Sequence, residues 1–121
     1  MKLTNLQIYQ LAEKLVSIAN STQYIPAKAN FFLQKNIQVI ATAAEEIDKT
    51  RLTIAQHYGE LEEDKQQYKI PQDKMEEATK ELDDLFSIEQ DLDIKTFTID
   101  DLGSAEFTPA QMQVIMFMIE D

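Results

Sequence analysis

The sequence predicts a mainly α protein: an elongated helical bundle with a coiled-coil-like hairpin around one long central helix, a small β element and an apolar C-terminal helix. Three observations carry that expectation. Only two glycines and three prolines interrupt 121 residues, so the chain has few places to turn. Apolar residues recur at helical spacing over most of its length. One stretch, from Pro26 to Gly59, runs without a breaker. At this length one domain over 1–121 is expected, and such a chain can bury about two thirds of its unfolded surface.

The first helix is expected over about 5–19, where Ile8, Leu11, Leu15 and Ile18 share a face. NSTQY then reads as a polar connection. The second helix is expected over 26–58. Pro26 suits its first turn, because the fixed φ is helical and the missing donor is not needed there. Gly59 suits a left-handed residue just past the end. Its seam is Leu33, Ile37, Ile40, Ala44, Ile47, Arg51, Ile54 and Tyr58, spaced alternately by four and three. That is a heptad pattern. A helix of about 33 residues spans about 50 Å, whereas a compact chain of this size is only about 35 Å across. The domain must therefore be elongated, or the seam must receive another copy. A homo-oligomer is expected on that ground, with Ile47, Arg51 and Ile54 in the interface.

Residues 60–69 read as a charged loop, with a short strand near 67–70. Pro71 precedes the third helix, expected over 72–86 with Met75, Ala78, Leu82 and Leu85 as its stripe. DIKTFTI alternates and is rich in β-branched residues, so a strand is expected within 93–99. Pairing with QYKI would satisfy its backbone groups. The last helix, over 109–120, has the clearest start. Thr108 is its N-cap, Pro109 its first residue and Gln111 the partner in a capping box, with Phe107 and Met112 placed for a hydrophobic staple. MQVIMFMI is apolar nearly all round, which suits either the core or a docked partner. Met112, Met116 and Ile119 are its candidate contact residues, methionine being an adaptable surface.

Net charge is −11, and it is uneven. Residues 1–59 hold six basic and four acidic side chains, whereas residues 60–93 hold four and thirteen. An acidic chain is a poor nucleic-acid binder, since cations must replace counterions. It suits solubility, or a basic protein partner. Cysteine is absent, which removes disulfides, thiol nucleophiles and thiolate metal sites. No run approaches the roughly 18 apolar residues of a membrane helix, and MKLTNLQIYQ lacks a signal peptide's apolar core. A soluble intracellular protein is expected.

Chemistry is sparse. His57 stands alone, without the second histidine or cysteine of a common zinc site. Gly59 and Gly103 are isolated, so no glycine-rich phosphate loop exists. DLDIK and IDDLG lack the calcium loop's glycine and final glutamate. Asp83 and Asp84 are neighbours on a helix and point apart. No catalytic residue, metal or cofactor is expected, and an enzyme is disfavoured.

One stretch does stand out: YIPAKANFFLQKN, residues 24–36. Lys28 and Lys35 are seven apart and lie on one side of the helix, with Phe31 and Phe32 between them and Asn36 one step on. A helix start adds unpaired N–H groups and partial positive charge. Together these residues would hold an anion against an aromatic wall.

IPAKANFFLQKN, a long helix ending HYGE, YKIPQDKMEEATKEL and finally TPAQMQVIMFMIED are similar in type and order to a group of small acidic proteins of tailed phages and prophages of Gram-positive bacteria. The resemblance covers nearly the whole chain. In that group an Ile-Pro-x-Lys start and a later Lys-Asn pair recur, here Ile25, Pro26, Lys28, Lys35 and Asn36. It implies a phage protein acting in the cytoplasm of a bacterial host or during particle assembly. The expected function is therefore an accessory protein that binds and neutralises a host component, either an anionic nucleotide signal or a basic, nucleic-acid-binding host protein. The alternative is a structural or assembly accessory protein of the particle.

Overall fold

The structure, a computed structural model, describes residues 1–20, 23–62 and 67–120. Chain order is β1 (Lys2–Thr4), α1 (Asn5–Ala19), α2 (Ala27–Tyr58), β2 (Glu60–Glu62), β3 (Gln67–Lys69), α3 (Met75–Phe86), β4 (Glu89–Asp91) and α4 (Pro109–Ile115). Single 3-10 turns cover Gln72–Lys74, Asp100–Leu102 and Met116–Met118. The fold is mainly helical, with α2 as its long central helix. Among the described residues no helix is long and apolar enough to cross a membrane.

At 32 residues, α2 is about 48 Å long, and no single neighbour covers it. Along α2 from about Asn30 to Asp48 lies α1, antiparallel, with Tyr9 donating to Asp48 at 3.0 Å. Along the C-terminal end of α2 lies α3, where Glu77 and Glu81 come up to Tyr58. The two cover elements meet where the ring of Phe86 packs edge-on against Tyr9, 5.6 Å between centroids. The heptad seam is thus filled from within. Leu33, Ile40, Ile47 and Ile54 are buried with Ile8, Leu15, Ile18 and Leu85. This corrects Ile47 and Ile54 as interface residues: their apolar surface is taken up by the chain's own α1 and α3. Arg51 is half-buried beside the seam, its Nε donating to Asp48 at 3.0 Å.

Both α1 and α4 begin in capping boxes. Thr108 and Gln111 form the expected one. Thr4 and Gln7 form a second, carried by the same spacing in TNLQ. Pro26 stands one position earlier than expected, at φ −53° and ψ 150° before the first helical residue, and its carbonyl accepts from Asn30. Gly59 is not left-handed. At φ −102° and ψ 167° it is extended, because the chain passes directly into β2.

The strand expectations need more correction. QYK does form β3, but it pairs antiparallel with β2, the nearest strand in sequence, whose loop closes at the least entropic cost. Residues 93–99 form no ladder. The strand in that region is β4, and it pairs antiparallel with β1, Leu3 opposite Gln90. Farther on, Phe97 makes one parallel bridge to Ile119. There the Phe97 N–H donates to the Met118 carbonyl and the Glu120 N–H to the Phe97 carbonyl, each at 2.9 Å. That bridge explains why α4 stops at Ile115 and the chain tightens to a 3-10 turn before extending. The expected connection at NSTQY and the charged stretch after β2 lie partly outside the described residues.

Phe97, Leu102, Ile115 and Met118 close the core from the C-terminal side. Gly103 turns the chain there with φ +60°. A Cβ at this position would meet Pro26 Cγ at 2.9 Å, so both conformation and space require glycine.

Candidate functional site

Three of the five residues singled out near the start of α2, Phe31, Phe32 and Lys35, line one groove. Phe31 is 58% exposed, and its ring lies tilted against Phe32, 6.1 Å between centroids. Phe32 is half-buried and anchors on the core. One turn on, Lys35 Nζ lies 5.6 Å from the Phe31 ring centroid, within reach of a cation–π contact. Lys28 is drawn elsewhere. Its Nζ is 3.4 Å from the Asp101 carboxylate. The Thr98 N–H, and then Lys28, hold that carboxyl below its ordinary range.

Asn36 is the clear departure from expectation. It is fully buried and serves the fold, not a ligand. Its Nδ2 donates to the Lys95 carbonyl at 2.8 Å, and its Oδ1 accepts from the Lys95 N–H at 2.7 Å. One side chain therefore satisfies both backbone groups of Lys95, as a neighbouring strand would. Asn5, also buried, ties the chain through one backbone and one side-chain partner. It donates to the Leu85 carbonyl at 2.9 Å and accepts from Gln90 at 2.7 Å. Two buried asparagines thus bracket residues 85–95 against α1 and α2.

That bracket builds a groove of about 620 Å³, within the usual size of small-molecule sites. One wall is α2, through Phe31, Phe32, Lys35, Val39 and Glu46; the other holds Gln90, Leu92, Asp93 and Lys95. Lys95 was absent from the sequence reading, since nothing local links residue 95 to residue 35. Asn36 does link them: it fixes the Lys95 backbone while its neighbour Lys35 faces the groove. Lys95 Nζ is 3.2 Å from Asp93, an exposed pair that a stronger anion can displace, because such pairs contribute only about 0–1 kcal/mol.

The terminal-helix residues also divide. Met112 and Ile119 are half-buried against the core, whereas Met116 is 61% exposed. His57 is exposed, its ring edge-on to that of Tyr58 at 4.6 Å between centroids. Among the described residues no group of histidine, aspartate and glutamate is arranged to hold a metal ion. No protein-family model matches the chain, and no curated protein or solved structure is significantly similar to it.

Proposed function

We propose that this chain is a non-enzymatic binding protein, a phage accessory protein that captures an anionic nucleotide signal of its bacterial host in the groove between α2 and residues 90–95. The observation that carries this reading is the groove's composition at one end. An exposed phenylalanine face and two lysines from opposite walls come together in a chain of net charge −11. A flat base can stack on Phe31 while a phosphate takes donors from Lys35 and Lys95. The carboxylates outside the groove oppose an anion only weakly, since salt screens them over about 8 Å, and within it the anion must displace Asp93 from Lys95. Direct charge-assisted hydrogen bonds contribute about 1.5–3 kcal/mol each.

Titration calorimetry with a panel of nucleotides tests the reading. Lys35→Ala and Lys95→Ala should each weaken binding by roughly ten- to a hundredfold, at 1.4 kcal/mol per tenfold. Lys28→Ala should leave affinity unchanged, because Lys28 is engaged by Asp101 outside the groove. No binding to the wild-type protein, or equal loss in all three variants, would remove the proposal.

A further inference from the structure

The groove is longer than a base and one phosphate require. From Phe31 to Glu46 it follows sixteen residues of α2, about 22 Å at 1.5 Å per step. Its chemistry changes in order along that length. Phe31 and Phe32 come first. Lys35 follows, with Lys95 and its ion-pair partner Asp93 on the facing wall. Next come Gln38, Val39 and Thr42, with Leu92 opposite, and the far end holds Glu46 and Gln90. An aromatic face, two lysines with the displaceable carboxylate of Asp93 beside Lys95, a mixed polar and apolar trough, and a hydrogen-bond acceptor therefore succeed one another. Glu46 has an exposed side chain and makes no ion pair among the described residues.

From that order we infer that the groove takes a dinucleotide: one base on Phe31, the bridging phosphate between Lys35 and Lys95, and the second nucleoside along the trough to Glu46. This rests on the reading of the groove as an anion site and names its substrate class. A carboxylate at the far end repels a second phosphate but accepts from ribose hydroxyls or an exocyclic amine. It therefore selects a ligand whose charge is central and whose ends are nucleosides. Glu46 is the specificity residue for the second nucleoside, and the trough makes room for it where a mononucleotide would leave water.

Two probes with the same single phosphodiester charge isolate the second nucleoside: adenylyl-(3′→5′)-adenosine and the methyl ester of adenosine 5′-monophosphate. Calorimetry should find the dinucleotide bound at least about tenfold more tightly, the equivalent of one charge-assisted hydrogen bond. Glu46→Ala should remove most of that advantage and leave affinity for the methyl ester unaltered. Glu46 is exposed, and a thermal melt of the variant checks that it folds. Equal affinity for the two probes, or a Glu46→Ala loss shared by both, overturns the dinucleotide assignment while the anion site stands. Failure of both probes to bind the wild-type protein overturns the anion site and this inference together.

Discussion

A single amide explains more of this structure than any charged residue. Asn36 is buried in a helix face that otherwise carries leucine, isoleucine and alanine, and both its polar atoms are used on Lys95. Truncation leaves the part-buried N–H and carbonyl of Lys95 without this partner, and a buried group so orphaned costs up to about 1–3 kcal/mol. Asn36→Ala should therefore lower unfolding free energy by about 1–3 kcal/mol in urea titrations, and the Lys95 amide should lose protection from hydrogen exchange. Unchanged protection would mean that the bracket does not hold the groove wall. Asp48 offers a second test. Hydrogen bonds from Arg51 first, and from Tyr9 next, hold its carboxyl below the ordinary range. A depressed pKa favours the charged form in the folded state, so this contribution is present above the unfolded value of about 3.9. It is lost as pH falls through the lower folded value. Melting temperature should drop over that acid range, and the drop should be shallower in Asp48→Asn.

At the scale of elements, helix starts were readable and strand partners were not. Thr108, Pro109 and Gln111 act within one turn, and the structure forms the capping box they announce. Thr108→Ala should cost about 0.5–2 kcal/mol, measured by chemical denaturation; a loss below that range would mean that packing of α4 on α1, not its cap, holds the helix. The β-branched run at 93–99 misled because its residues find partners one at a time, Lys95 from Asn36 and Phe97 from residues 118–120. β4, by contrast, is Glu-Gln-Asp, a poor strand former on composition. It is a strand because β1 lies beside it.

For the whole molecule, the long helix is resolved by relay: α1 covers α2 as far as Asp48, and α3 covers its C-terminal end near Tyr58. An overlong heptad seam needs no second copy when two of the chain's own helices fill it in series. Ile54→Asp should therefore unfold the protein, since it buries an unpaired charge at a position 9% exposed. Met116→Asp should change stability by no more than about 0.5 kcal/mol, as surface substitutions usually do. Thermal melts with sedimentation velocity check both. If Ile54→Asp instead gives a folded species of lower mass, the seam is an intermolecular interface after all.

Local physics made the helices legible from sequence alone. The 3.6-residue period of Ile8, Leu15 and Ile18, the unbroken run to Tyr58 and the capping residues at Thr108 all act between positions a few residues apart. That locality also brought Phe31, Phe32 and Lys35 to notice, because one helix face holds them in fixed relation. Only the tertiary structure decided what faces them. Lys95 joins the groove across 59 residues of chain from Asn36, Lys28 is diverted to Asp101, and Asn36 turns from surface to core. Each outcome depends on which distant polar group must be satisfied once the chain is compact, and that requirement has no sequence period to betray it.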